Sequence, residues 1–129
     1  MSFFAKLFVD SKEITVLDCS FEISKQADET GKPMSAALGG QIEIAFEMSE
    51  KDDEFFSWAE TLDMVKNGSI VFFKDNALAV KYRLEFTAAH CLNFSANFSS
   101  EGRFIANIIL SAHELKFGSG KHTNRWGKV

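Results

Sequence analysis

Several residue types that staple or interrupt small folds are scarce in this sequence. The chain of 129 residues has 1 proline and 2 cysteines, Cys19 and Cys91, which lie in strand-like runs without metal-type spacing. A chain of this length can bury a core without disulfides, so we expect one domain over residues 1–129, with both cysteines as small buried apolar side chains. The scarcity of proline leaves its strands free of residues that break the hydrogen-bond ladder.

Patterns that carry catalysis or bind metals are also missing. His90, His113 and His122 have no second ligand at metal spacing and no neighbouring nucleophile pattern. The acidic run 50–54 lacks the residue spacing of an EF-hand calcium loop. Residues 118–121 resemble part of a phosphate-binding loop, but the first glycine and the hydroxyl residue of that motif are missing around them. We therefore predict no catalytic residue, no metal site and no cofactor, and we expect that the chain is not an enzyme.

Positive charge is not concentrated anywhere in the body of the chain. The formal net charge is −4, and no basic stripe is present. A nucleic-acid or anionic-membrane partner would normally require such a stripe, so we expect neither. The first ten residues contain no basic leader and no continuous apolar segment, so we expect no signal peptide, no membrane insertion and synthesis in the cytosol.

Much of the sequence consists of runs in which apolar and polar residues alternate. Ile42, Ile44 and Phe46 face one way while polar residues face the other, which is typical of a half-buried strand. Similar runs predict seven or eight strands, and Asp10, Ser11 and Lys12 predict a tight turn between the first two. The predicted fold is mainly β, an antiparallel β-barrel or tight sandwich with one lateral α-helix.

The predicted helix covers about residues 50–64, between two strands. Acidic residues crowd its first turn, and Asn67-Gly68 would end it. Phe55, Trp58 and Leu62 recur at helical spacing, so we predict that they anchor the helix on the sheet.

Two segments have no period of their own. The loop 25–40 contains the only proline and three glycines, and loops of this length in compact domains are often functional. The basic tail, residues 118–129, carries Trp126, which either frays or docks on the domain. Small polar residues on the second face of several strands suit a wet packed surface or ordinary solvent contact. They are Ser20, Ser95, Asn97, Asn107 and Ser111.

Six stretches of the sequence, in order, resemble the Hcp (TssD) tube protein of type VI secretion systems in its Bacteroidetes-type branch. They are SFFAKLFVDSKEITVLDCSFEIS, DETGKP, GGQIEIAFE, DEFFSWAE, NGSIVFFK and LSAHELKFGSGKH. The resemblance extends over essentially the whole chain, and its strength is the order of the stretches rather than one signature.

The resemblance implies a barrel subunit, akin to phage tail-tube proteins, of which six form a ring. Rings of this family stack into an inner tube that a contractile sheath drives out of the cell with effector proteins in the lumen or on the spike tip. The implied partners are further copies of the chain, the sheath, the spike and baseplate proteins, and the effectors. The resemblance also implies that the tube is assembled in the cytoplasm and then secreted. The family's extended loop reaches a neighbouring subunit or ring, which maps here onto residues 25–40. Contacts are expected from Asp28, Glu29, Lys32 and Pro33.

Two alternatives remain at this stage. A phage-type tail tube subunit shares the same architecture. A monomeric small-ligand-binding β-barrel is a different class of protein, and it would need a convergent polar site that the strands do not offer.

Overall fold

The computed structural model describes residues 3–24, 27–33, 38–49, 54–74 and 79–124 of the chain. Within these ranges it contains seven strands and one helix, in agreement with the predicted number. The strands are β1 (Phe3–Val9), β2 (Lys12–Ser24), β3 (Leu38–Glu47), β4 (Lys66–Lys74), β5 (Ala79–Ser99), β6 (Arg103–Phe117) and β7 (Gly120–Thr123), and the helix is α1 (Glu54–Glu60).

Six of the strands close into an antiparallel barrel. Their order is β3-β2-β1-β4-β5-β6, and β6 pairs with β3 to complete the circle. β7 pairs with the last residues of β6, and α1 packs on β5. The prediction of a mainly β barrel with one lateral helix is therefore confirmed.

The turn between β1 and β2 lies at the predicted place but is one residue shorter, because Lys12 already belongs to β2. Val9 pairs with Lys12, which leaves a two-residue loop. Asp10 and Ser11 both have positive φ, 51° and 64°. This is the geometry of a type I′ turn, whose twist matches that of the strands it connects.

The inside of the barrel is filled by the apolar faces of the strands and by two residues of α1. Ile42, Ile44 and Phe46 are at most 2% exposed, as their alternation predicted. The Phe55 ring lies 5.0 Å from the Phe46 ring, and Trp58 Nε1 donates a hydrogen bond of 3.0 Å to the carbonyl oxygen of Ala89. A packed interior of this kind disfavours the ligand-binding alternative.

The helix is shorter than predicted. It ends at Glu60, and residues 61–65 connect it to β4, which begins at Lys66. The predicted start near Glu50 lies outside the described residues. Asn67 and Gly68 do not end the helix, because both belong to β4. Gly68 lets β4 pass close to its neighbours, since a Cβ there would stand 2.5 Å from the carbonyl oxygen of Phe8.

Residues 80–87 and 92–99, which alternate as two separate runs in the sequence and so predict two strands, belong to one strand, β5, of 21 residues. Its middle is irregular: Ala88 has φ 53°, and its N–H donates to Asn67 Oδ1 at 2.8 Å. Sequence periodicity divides β5 in two because this irregularity shifts the alternation.

The first residues of the basic tail belong to the folded domain. Residues 120–123 form β7, and Asn124 Nδ2 donates to the carbonyl oxygens of Gly39 and Ala112 at 3.0 and 2.7 Å. Trp126 lies outside the described residues. The helix within the described ranges has seven residues, and nothing there is both helical and long enough to cross a bilayer.

Candidate assembly surfaces

One part of the barrel wall is a four-stranded sheet with a polar outer face. It consists of residues 17–24 of β2, all of β3, residues 103–111 of β6 and residues 91–99 of β5, and we call it the open sheet. The strand registers bring the small polar residues singled out from the sequence onto this one face, together with several acidic residues. These are Asp18, Ser20, Glu22, Glu43, Glu47, Asn93, Ser95, Asn97, Asn107 and Ser111.

The outer face has an acidic half and a half without carboxylates, which carries Arg103 at its end. Asp18 and Glu43 lie on the β2 and β3 side, while Asn93, Ser95 and Asn107 lie on the β5 and β6 side. All five line a shallow depression of about 370 Å³. The ion pairs found among the described residues involve none of the carboxylates on this face. The face therefore presents negative charge and hydrogen-bonding groups to solvent.

Both outer strands of the open sheet have a free edge within the part of the chain that the structure describes. β1 pairs with β2 only as far as Val16, and β4 pairs with β5 only as far as Ala89. Beyond these points, residues 17–24 and 91–99 are hydrogen-bonded to one neighbouring strand each. A free edge offers a row of backbone donors and acceptors to another chain.

A β-bulge begins each free edge. The register shifts between Val16 and Asp18 on β2 and between Cys91 and Asn93 on β5. The extra residues are Leu17 and Leu92, which are 49% and 55% exposed. The two edges are thus built alike, with an apolar side chain directed to the outside at the point where the neighbouring strand departs.

The predicted contact loop carries a tightly held tip. Ala27 and Pro33 form an isolated antiparallel bridge around it. Asp28 Oδ1 accepts hydrogen bonds from the Thr30 N–H at 2.9 Å, the Thr30 hydroxyl at 2.7 Å and the Lys32 N–H at 3.0 Å. These hydrogen bonds, led by the one from the Thr30 hydroxyl, lower the pKa of Asp28 below its usual value.

The four residues predicted to make contacts are all exposed, but they have different surroundings. Asp28 uses its carboxylate within the loop, and Pro33 takes part in the bridge. Glu29 and Lys32 lie at the surface of the tip, where their charges are accessible to another subunit. Asp28 therefore shapes the tip, while Glu29 and Lys32 are better placed to touch a partner.

The three residues predicted to anchor the helix differ in burial. Phe55 and Trp58 are each 1% exposed, whereas Leu62 is 86% exposed. The prediction for Leu62 was wrong, because the helix ends at Glu60 and the chain turns away toward β4. The turn contains a hydrogen bond from the Met64 N–H to the Thr61 carbonyl oxygen.

The free edges were not predicted from the sequence. A local signal existed for β2, whose 13 residues exceed the 7 of β1, but not for β5, whose 21 residues the periodicity divides in two. Strands much longer than their neighbours must extend beyond them.

In the described part of the chain, no group of histidine, cysteine, aspartate or glutamate residues is arranged to hold a metal ion.

The chain is similar to known proteins in both sequence and structure. The sequence profile of the family described as "Hemolysin coregulated protein Hcp (TssD)" matches residues 1–127. Hcp1 from Flavobacterium johnsoniae is similar in structure, with a TM-score of 0.86 and 29% identity over 94% of this chain and 99% of that chain. No curated protein sequence matches the chain.

More distant structures share the fold. Hcp1 from Salmonella typhimurium has a TM-score of 0.73 and 18% identity, over 95% of this chain and 93% of that chain. The sheath/tube terminator of PVC, an extracellular contractile injection system, has a TM-score of 0.58 and 15% identity, over 88% and 91%. Hcp proteins are structural tube proteins, so the prediction that the chain is not an enzyme is confirmed. The chain belongs to the Hcp (TssD) family and is a tube subunit.

Proposed function

We propose that six copies of this chain close into a ring through the two free edges of the open sheet, and that these rings stack into the inner tube of a type VI secretion system. The observation that carries the proposal is the pair of matching edges, residues 17–24 and 91–99. Ring formation needs two different surfaces on each subunit that fit each other and close by rotation.

The directions of the strands support this pairing. Neighbouring strands of the open sheet are antiparallel, so its two outer strands, β2 and β5, run in opposite directions. The β5 edge of one copy, laid beside the β2 edge of the next, therefore forms another antiparallel pair. Six open sheets joined in this way make one continuous wall in which backbone groups of both edges are hydrogen-bonded.

The polar outer face of the open sheet is the side we assign to the lumen. The helix and the β1–β4 pair lie on the opposite side of the sheet, as the contacts of Phe55 with Phe46 and of Phe56 with Phe94 indicate. In a ring the bulkier side takes the larger circumference, so the sheet takes the inner one. Serine, asparagine and carboxylate side chains surround the half-buried Ala45, Ile105 and Ile109 on this face, and they would let an effector protein pass or reside with little apolar contact.

Stacking must overcome repulsion between rings. With a formal charge of −4 on each chain, six chains carry −24, so contacts between rings need locally complementary charges. The loop tip, with Glu29 and Lys32 exposed, is the candidate for such a contact. The stacked tube would assemble in the cytoplasm, engage sheath and spike or baseplate proteins, and leave the cell on contraction.

Light scattering and negative-stain microscopy of the purified protein test the ring directly. We expect a particle of six chains of 14.4 kDa, 86.4 kDa together, with a central hole. A monomer of 14.4 kDa at high concentration would refute the ring and would favour a protein that acts as a single barrel. A phage-type tube subunit would give the same particle, and its genetic neighbourhood distinguishes it.

A further inference from the structure

Four exposed apolar residues mark the ends of the two free edges of the open sheet. They are Leu17 and Ile23 on β2, and Leu92 and Phe98 on β5. Each of them is between 49% and 69% exposed. The stretches that they enclose, residues 17–23 and 92–98, are equally long, so two antiparallel edges can bring apolar ends together at both limits of a junction.

The directions of the backbone groups determine which residues of the two edges can pair. Along a strand in an antiparallel sheet, successive residues direct their N–H and C=O groups to alternate sides. The hydrogen bond from the Met48 N–H to the Phe104 carbonyl oxygen shows which residues of β3 and β6 face each other in this way. Followed outward through the strand registers, it identifies the residues whose backbone groups point away from the open sheet. They are Cys19, Phe21 and Ile23 on β2, and Phe94, Ala96 and Phe98 on β5.

A junction between two copies must pair residues of the first set with residues of the second set. Cys19 can therefore face Phe94, Ala96 or Phe98. Only the register with Cys19 opposite Ala96 keeps all four exposed apolar residues inside the junction. In that register Leu17 lies opposite Phe98 at one end, and the other two exposed residues lie opposite each other at the other end.

The two neighbouring registers each leave one apolar end uncovered. A shift of β5 by two residues in one direction would bring Phe98 against Thr15, which already pairs with β1. A shift in the other direction would bring Leu92 past Ser24, the last residue of β2. Each shift would leave one large apolar side chain in water, which is unfavourable.

The polar side of the junction favours the same register. The carboxylates of the β2 edge are Asp18 and Glu22, whereas the β5 edge has no charged residue. With Cys19 opposite Ala96, Asp18 faces Asn97. Glu22 likewise faces Asn93. Side-chain amides can donate hydrogen bonds to carboxylates, and no like charges meet across the junction, whereas both shifted registers separate these pairs.

We propose that neighbouring subunits of the ring join in this register, with Cys19 of one copy opposite Ala96 of the next and Phe21 opposite Phe94. This inference rests on the proposed function, because it assumes that the two free edges form the contact within a ring. The occupant of each edge is thus a second copy of this chain in one defined register. The junction ends at the bulges of β2 and β5, where β1 and β4 depart.

Disulfide crosslinking tests the register, because one of the two thiols is already present at Cys19. In a Cys91→Ala background, Ala96→Cys places a second thiol directly opposite it, with about 5.5 Å between Cα atoms, within the range of a disulfide. The matched variants Phe94→Cys and Phe98→Cys place the thiol where the two shifted registers would require it. Within one copy β3 and β6 lie between these strands, so the Cα atoms are about 10 Å or more apart and a disulfide must join two copies.

The rings are oxidised with copper phenanthroline and separated on a denaturing gel without reductant. We expect Ala96→Cys to give a ladder of up to six joined chains that disappears on reduction, with severalfold more crosslinking than either matched variant. Stronger crosslinking of Phe94→Cys or Phe98→Cys would overturn the register. Intact rings that none of the three variants crosslinks would also overturn it. Thermal unfolding checks that each variant is folded.

Exchange of a charge tests the polar side of the junction independently. Asn97→Asp would place a carboxylate opposite Asp18, so it should lower the ring fraction severalfold. Addition of Asp18→Asn should restore the rings, since a carboxylate then faces an amide again. The matched control is Ser95→Asp, which faces Ser20 in this register and should be rescued less by Asp18→Asn. Equal rescue of the two variants, or rescue of neither, would contradict the proposal.

The mass of the wild-type particle is measured first, so that the two proposals fail separately. Particles of 14.4 kDa would refute the ring itself. Rings of six chains that crosslink in a shifted register would refute the register alone.

Discussion

The two sides of the barrel wall are built for different purposes. On the side formed by β1, β4 and residues 79–89 of β5, both edges are paired over residues 5–9, 68–74 and 84–86, and the apolar faces point into the core. On the open sheet the apolar faces are also buried, but two edges have one neighbour each and the outer face is polar. The first side is explained by packing within a single chain. The unpaired edges and the polar outer face of the open sheet have no role in that packing.

This difference predicts that substitutions on the two sides will have different consequences. Changes to the packed core should lower the free energy of unfolding and affect assembly only as a result. Changes to exposed residues of the open sheet and of the loop tip should leave the monomer stable and alter its association. The predictions below test that separation, beginning with the largest effect.

Trp58→Ala should destabilise the fold most. The indole is 1% exposed, packs 6.2 Å from the Phe55 ring and donates a hydrogen bond to Ala89. Loss of a buried aromatic side chain typically lowers the free energy of unfolding by about 3–5 kcal/mol. Urea denaturation measures this loss, and a change of less than about 1 kcal/mol would show that the helix does not anchor the barrel.

Leu92→Lys should abolish rings without unfolding the monomer. Leu92 is the 55% exposed bulge residue at the start of the β5 edge, and a lysine on an edge strand opposes pairing with another chain. We expect the ring fraction to fall by about tenfold or more, which corresponds to about 1.4 kcal/mol or more. Light scattering measures the mass.

Leu62→Lys is the matched control for that experiment. Leu62 is 86% exposed and lies off both edges, so the same substitution there should leave rings intact. Equal loss of rings in the two variants would mean that added charge, rather than the edge, is responsible.

Lys32→Glu should weaken stacking while rings persist. The substitution adds negative charge to an exposed loop tip on a ring that is already negative. Exposed charge pairs contribute about 0.2–1 kcal/mol each, so the effect per contact is modest but repeats around the ring. Sedimentation of tubes at low and high salt measures it. If salt does not reduce the difference between wild type and variant, the effect is not electrostatic.

Asp28→Ala should also weaken stacking, but by changing the shape of the loop tip. The carboxylate holds the N–H groups of Thr30 and Lys32, and these hydrogen bonds are lost in the variant. Faster amide exchange at those two N–H groups, with unchanged exchange in β3, is the expected result. Since folding lowers the pKa of Asp28, protonation should loosen the wild-type tip only as the pH falls below the ordinary value of 3.8.

The smallest expected effect is at alkaline pH. Burial raises the pKa of Cys19 and of Cys91 from 9.0 to about 11. Between pH 9 and 11 the unfolded chain therefore loses thiol protons that the folded chain retains, so stability falls as the pH rises through this range. A variant with Cys19→Ala and Cys91→Ala should lose less stability over the same range. An identical pH dependence in both proteins would show that the thiols are not responsible.

Local patterns in the sequence were sufficient for much of the fold. Alternation identified Ile42, Ile44 and Phe46 as core residues, and the pair Asp10 and Ser11 identified the hairpin turn. Helical spacing identified Phe55 and Trp58, but it also included Leu62, because periodicity does not reveal where the tertiary structure needs the chain to leave the helix.

The assembly surfaces depended on features that no local pattern carries. The small polar residues were visible in the sequence, but only the pairing of β2, β3, β6 and β5 brings them onto one face. Bulges at Leu17 and Leu92 interrupt the alternation that sequence analysis relies on.

By itself, the sequence determined the mainly β class, the face that most strands bury, the first turn and the membership of the family. These properties follow from side chains two to four residues apart, or from the order of short stretches along the chain. Only the tertiary structure decided which edges stay unpaired and which polar residues share a surface. Strand partners in this barrel are separated by up to about 70 residues, as for Gln41 and Ser111, so closure of the whole barrel is what leaves residues 17–24 and 91–99 open to another copy.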